Sequence, residues 1–522
     1  MKKKISISRK NRADLSTTGA KHHPPLFLLP CWVFLAACTL TLLFAVNAQA
    51  QAPPNQQKGL FAEVDSHDYG YRDDTDAVIR SRAVQVDMTQ LGGQQQLASQ
   101  SNHAQPARTA PSPSSPYIQL NLFDDLVVQI THTRTYENDS GSLTWIGKIE
   151  GQPTSLAILI VRNSSIYGLV EVPNVGSFSI QPNAEGTHTI EQIRSDALLS
   201  GEDDFVIPDS TTSDATAGAT PNVLMNNVAA SAVEISNDDG SIIDVYVAYD
   251  QDASGGSVAA ADAQSYAELF IAYTNQAYEN SKINQRLWLV GTVDGYNYTD
   301  ADSSSLSAEL SDARSGIITG IHGKRNEYHA DLVIFFAPYP GSSCNGLSYM
   351  QTTNNNVGWN TNGFSSMQAC SFGQAIFAHE LGHTMGSRHD WYVDSGTTPA
   401  SIAHGYVDPM NNFRTIMSYG SRCEDLNISC SRIPNFSNPA VSYNGSATGV
   451  ASGTNSSCST GENPALECDA DNTTNFNTKA LITSQFRNSR VTWTGTVDTN
   501  WATAGNWSFN QGAPGATTVV NR

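Results

Sequence analysis

Apolar residues change rhythm along this chain. Between residues 117 and 193, short apolar runs alternate with Asn, Gly and Pro turns. Residues 126–130, 156–161 and 166–170 read as strands. Further on, strand-like and helix-like spacing take turns. Residues 242–249, 286–293 and 331–336 read as strands, and 259–282 and 304–321 as helices. This β-α-β-α-β order predicts a mixed α/β (α+β) domain over residues 233–488 with largely parallel strands. Residues 346–350 then form a short edge strand. Residues 372–378 lead into a helix whose apolar face packs into a core.

The flanking segments differ in character. A basic start, an apolar stretch at 26–46 broken by Pro30, and Ala48, Gln49 and Ala50 together match a signal peptide over 1–50. The apolar stretch approaches spanning length, so a retained anchor is the competing reading. Residues 51–116 are polar and rich in Gln, Ser and Pro, which predicts partial disorder. A β-rich segment follows at 117–208, then an exposed linker suited to processing at 209–232. The tail at 489–522 is rich in Trp and Gly and reads as the start of a β module too short to stand alone.

One stretch carries chemistry. His379, Glu380, His383, Gly386, His389 and Asp390 spell H-E-x-x-H-x-x-G-x-x-H-D. Residues four apart on a helix lie one turn above each other, so His379 and His383 present imidazoles to one point. Glu380 stands on the adjacent strip, placed to act as a base without ligating the metal. Gly386 can take a positive φ and end the helix sharply, returning His389 as a third nitrogen ligand. Three protein ligands leave one position of tetrahedral Zn2+ open, the catalytic arrangement. Incidental histidines on a buried helix are the bland alternative.

Downstream, Arg414, Thr415, Ile416, Met417, Ser418, Tyr419 and Gly420 complete a resemblance to the metzincin zinc metalloendopeptidases. Met417 matches the methionine that lies in a tight turn beneath their zinc site. Asp390 is similar to the adamalysin/reprolysin branch, whereas Tyr419 resembles the serralysin and astacin tyrosine that binds metal or steadies an oxyanion. Overall the chain looks most like bacterial reprolysin-like secreted proteases, and the stretch 432–439 after Met417 adds to the likeness. The resemblance implies peptide hydrolysis with Glu380 as general base. It also implies substrate strands that pair antiparallel with the edge strand at Leu347, Ser348 and Tyr349.

Composition narrows the partners. A net charge of −20 over 522 residues argues against nucleic acid and anionic membranes and fits export, while the resemblance implies protein or peptide substrates; a monomer is expected. After signal cleavage no membrane insertion is expected; association with the cell surface is the alternative location. Asp- and Asn-rich loops leave Ca2+ as a second candidate ion, without an EF-hand or Gly-rich repeat. Six cysteines (Cys344, Cys370, Cys423, Cys430, Cys458 and Cys468) follow residue 233, and six allow fifteen pairings. Export favours disulfides, and proximity suggests Cys423–Cys430 and Cys458–Cys468, leaving Cys344 with Cys370. Arg414, Arg422 and Arg432 read as surface residues, the other reading being a pocket biased towards acidic side chains.

Many metzincin precursors are kept latent by a prodomain cysteine, but no cysteine stands between Cys38 and Cys344. Latency is therefore assigned to steric cover by the β-rich propeptide or to a carboxylate from Gly201, Glu202, Asp203 and Asp204. An acidic surface loop is the plainer reading of those four residues. The rival function is a surface adhesion or carbohydrate-binding protein with a non-catalytic metalloprotease-like domain; it predicts a decayed motif, and the motif is intact.

Overall fold

The computed structural model describes residues 59–64, 77–91, 117–183, 186–194, 204–208, 238–251, 260–298, 306–338, 344–353, 356–456, 458, 468–487 and scattered residues of the tail. The segments expected to be a signal peptide (1–50) and a processing linker (209–232) lie outside the described residues, as do Trp493 and Trp507 of the tail.

Nine N-terminal strands form one antiparallel sheet. They are β1 (Phe61–Glu63), β2 (Val78–Val86), β3 (Tyr117–Phe123), β4 (Leu126–Glu137), β5 (Leu143–Ile149), β6 (Leu156–Arg162), β7 (Ser165–Val172), β8 (Gly176–Pro182) and β9 (His188–Ile193). Their order is β1-β2-β9-β8-β7-β6-β5-β4-β3. The two outer strands meet: the Leu60 N–H donates to Gln119 O at 2.8 Å. Asn121 accepts from the Phe61 N–H at 3.1 Å and donates to its carbonyl at 2.6 Å. The sheet is thus curled into a barrel around Leu120, Ile130, Leu159, Phe178 and Ile190.

Strands β1 and β2 fall within the 51–116 segment expected to be polar and partly disordered. In β2, Val78, Arg82, Val84 and Val86 are buried, a period of two obscured in the sequence by arginines and a glutamine. Arg82 points inward because its guanidinium donates to Asn121 O.

The second sheet contains β10 (Phe205–Val206), β11 (Ile242–Asp250), β12 (Arg286–Leu289), β13 (Asp294–Tyr296), β14 (Leu332–Ala337), β15 (Gly346–Tyr349) and β16 (Phe364–Gln368). β11 pairs in parallel with β12, β13 and β14, and β14 pairs in parallel with β16. β15 pairs antiparallel with β16, and β10 lies parallel to β15. The helices are α1 (Ala260–Asn280), α2 (Leu306–Ser315), α3 (Ile321–Glu327), α4 (Gln374–Thr384), α5 (Ser421–Asp425) and α6 (Asn472–Thr483). Two elements end earlier than expected, each just before a left-handed glycine: β12 stops at Leu289 ahead of Gly291 (φ 69°), and α2 at Ser315 ahead of Gly316 (φ 79°). Helices α1 and α4 pack on the sheet through Phe270, whose ring lies 6.0 Å from Phe336 and 5.8 Å from Phe377.

The barrel docks on α1. In β6, Ala157, Leu159 and Val161 face the barrel interior, while Leu156, Ile158 and Ile160 join the core of the second sheet. Polar contacts rim this apolar seam. Buried Glu268 of α1 pairs with Arg162 at 2.8 Å and accepts from Ser140 and Ser142, each at 2.5 Å. Three disulfides, Cys344–Cys370, Cys423–Cys430 and Cys458–Cys468, tie loops around the second sheet. No described helix is long and apolar enough to cross a membrane.

Candidate metal centre

Every residue of α4 is buried. The helix stops in a double bond pattern: Gly386 N–H donates to His383 O at 2.8 Å and Ser387 N–H to Gly382 O at 2.9 Å. Gly386 has φ 80°, and a Cβ there would lie 2.8 Å from Gln351 O, so both conformation and space demand glycine. The chain then turns back and carries His389 beside the helix.

The Nε2 atoms of His379, His383 and His389 lie 2.9, 3.1 and 3.2 Å apart. The Nδ1 atoms of His379 and His383 donate to Ile416 O at 2.9 Å and Ser387 O at 2.7 Å. Those bonds place the ring hydrogens on Nδ1 and leave the Nε2 lone pairs aimed at one another. Three converging lone pairs repel unless a cation sits between them. Tetrahedral zinc with bonds of about 2.0–2.1 Å would set its ligands roughly 3.3 Å apart, close to the spacing observed. His404, which the sequence did not single out, holds the His389 backbone by donating from Nδ1 to His389 O at 2.6 Å.

A fourth residue completes the cluster: Asp204, immediately before β10. Its Oδ1 lies 2.5 Å from His389 Nε2 and 3.1 Å from His383 Nε2, and its Oδ2 lies 3.1 Å from His379 Nε2. All four residues are buried and could together hold a metal ion. Burial pulls His379 down to about 3 and lowers His383. On His389 burial is outweighed by the Asp204 charge and hydrogen bond together with the charges of Asp394 and Asp390, and the net shift is upward. Burial would raise Asp204, but His389 and His379 hold it well below the usual carboxylate range. An acidic surface loop is therefore not what residue 204 forms; its partners are close in space and 175 or more positions away in sequence.

Asp204 stays there because the segment behind it is paired. Phe205 and Val206 lie parallel to β15, with Ser348 N–H donating to Asp204 O at 3.1 Å and Met350 N–H to Val206 O at 2.9 Å. The strand expected to be a free edge is thus covered. The Phe205 ring rests 4.9 Å from His383 and 5.2 Å from His389.

Glu380 faces β15. Its Oε2 accepts from the Ser348 hydroxyl at 2.6 Å, while Oε1 has no partner among the described residues. Burial, then the nearby Asp204 charge, pushes its carboxyl well up. Of the other β15 residues, Leu347 is partly buried and Tyr349 is buried. Asp390 ties the end of the motif to the next loop, accepting from Tyr419 N–H at 2.9 Å and Tyr392 N–H at 3.1 Å. Tyr419 in turn stacks beside the centre, its ring 4.4 Å from His389. Met417 sits in a turn closed by Ser418 N–H to Thr415 O at 3.0 Å, fully buried under α4. A Cβ on Gly382 would lie 2.5 Å from its sulfur. Arg414 and Arg432 are buried too, which corrects their reading as surface residues.

A mixed α/β domain with a buried histidine cluster at the end of a zinc-motif helix defines a metallopeptidase-like domain. Residues 239–448 match the family described as Metallo-peptidase family M12B Reprolysin-like. A peptidyl-Asp metalloendopeptidase of Pseudomonas fragi is 34% identical over 171 residues, 33% of this chain and 85% of that protein. The chain belongs to the reprolysin-like metallopeptidases. Proteins of the same name are 35% identical in Stenotrophomonas maltophilia, over 36% of this chain and 43% of that one, and 27% identical in Xanthomonas campestris, over 66% and 79%. The match thus spans less than half the length of the Stenotrophomonas relative.

Proposed function

We propose that this chain is the latent precursor of a secreted, zinc-dependent endopeptidase that hydrolyses peptide bonds of extracellular proteins. The observation that carries the reading is the convergence of three Nε2 lone pairs beside a carboxylate with one unpartnered oxygen. The relatives' name, peptidyl-Asp metalloendopeptidase, points to aspartate as the side chain that selects the cleavage site.

His379, His383 and His389 would hold the zinc, which supplies Lewis acidity to polarise a scissile carbonyl and acidify water. Glu380 removes the proton from the attacking water at Oε1 and delivers it to the departing amine. The Ser348 hydroxyl orients that carboxylate through Oε2. Tyr419 stands beside His389 to donate to the developing oxyanion. The N–H groups of Ser348 and Met350 serve an extended substrate once residues 204–206 have left.

The barrel, extended to include β1 and β2, acts as the propeptide. Asp204 blocks the centre and β10 blocks the substrate edge, in the parallel direction opposite to that expected of a substrate. Cleavage in the 209–232 linker would allow both to depart. Purified protein that has matured should hydrolyse casein, lose activity to a chelator and regain it with zinc. Activity that survives complete metal removal would sink the reading.

A further inference from the structure

Arg432 is a buried cation with too few partners. It lies in β19 (Ser431–Arg432), numbered after β17 (Val407–Asp408) and β18 (Phe413–Arg414), beside the loop that carries Met417. It is 9% exposed. Its Nη2 donates to Ser418 O at 3.2 Å, yet Nε and Nη1 have no hydrogen-bond partner among the described residues. The neighbouring arginines are accounted for. Arg414 donates to Ser418 O at 2.7 Å and Cys430 O at 3.2 Å, and Arg388 is held by Asp394 at 2.7 Å. Arg422 lies over the Tyr392 ring.

We infer that Arg432 is the specificity-determining residue, its unsatisfied guanidinium donors receiving the carboxylate of a substrate aspartate beside the scissile bond. This rests on the endopeptidase reading above. A guanidinium fork presents two parallel donors that match the two oxygens of a carboxylate, and an uncompensated buried cation favours any ligand that supplies the missing charge. The location fits, because Arg432 is held at Ser418 O, one residue before Tyr419, whose ring lies 4.4 Å from His389. Burial lowers the guanidinium to about 10, so it stays cationic at neutral pH. Asp204 does not discharge it, since both of its carboxylate oxygens face the histidines.

The test compares two peptides that differ only in Asp or Asn at the selecting position. Protein is produced as the full chain, matured and loaded with zinc, and kcat/KM is measured for both peptides. The ratio within one sample is independent of how much of that sample is folded. Wild-type protein should prefer Asp by about 10²-fold or more, as sites built around a polar partner do. Arg432→Gln should bring the ratio to about unity by loss of the Asp reaction alone. Arg432→Lys, which keeps charge but not the fork, should retain a preference of about tenfold. An undiminished ratio in Arg432→Gln, or equal loss on both peptides, overturns the assignment. Cleavage of both peptides by the wild type without preference overturns it while sparing the endopeptidase reading; cleavage of neither overturns both.

Discussion

Glu380, the proposed base, has room beside β15 only because residue 346 is glycine. A methyl group on Gly346 would lie 2.3 Å from Glu380 Oε1, closer than real carbon contacts come. Gly346→Ala should therefore displace the base or push β15 outward while leaving the histidines in place. We expect normal zinc content with kcat reduced by about 10²-fold, the scale on which a positioned base contributes. Zinc content and kcat, measured together, check this; a variant of normal kcat would place the working oxygen elsewhere. Tyr419→Phe keeps the ring that packs on His389 and removes only the hydroxyl. It should bind zinc normally and lose roughly 10²-fold in kcat with little change in KM, as removal of an oxyanion donor does. An unchanged kcat would reduce the tyrosine to a packing role.

At the scale of elements, the proposed latency assigns the two-residue strand β10 as the latch, with Asp204 at its tip. Precursor carrying Asp204→Ala should cleave a short peptide at least about tenfold faster than the wild-type precursor, because an ion-paired carboxylate no longer competes at the centre. Thiol-reactive mercurials should activate neither form, there being no cysteine from 39 to 343. An Asp204→Ala precursor as silent as the wild type would move latency to the barrel alone. The sequence made the H-E-x-x-H helix, the parallel strands and the three disulfide pairings legible, because each rests on local spacing or proximity. The latch was not legible: a lone aspartate in an acidic run acquires its meaning from histidines far along the chain. Strand β2 escaped for a different reason, its inward Arg82 breaking the apolar period. Strand β6 held an unread clue. Residues 156–161 are apolar without alternation, the mark of a strand covered on both faces. That pattern already implied a second body against the barrel, the one α1 supplies.

At the scale of the whole molecule, the barrel and the second sheet share one hydrophobic seam, and a carboxyl is trapped beside it. Glu171 of β7 accepts from Ser177 at 2.5 Å and from Gln374 at the start of α4. Burial raises its carboxyl from 4.5 to about 7. The folded molecule therefore keeps a proton that the unfolded chain releases above about pH 4.5. Its contribution to stability is full below that pH and is lost as the pH rises through about 7. Glu171→Gln should flatten this part of the profile, so the midpoint of urea unfolding should fall less between pH 5 and pH 8 than in the wild type. Parallel profiles would show that Glu171 is solvated. The account as a whole stands on zinc bound by three histidines and on a separate glutamate that moves the proton. The most direct measurement is zinc content and peptide turnover on the same matured preparations of wild type and Glu380→Ala. We expect one zinc per chain in both and a loss of turnover of about 10³-fold or more in the variant. A variant that loses its zinc, or one that keeps wild-type turnover, would contradict it.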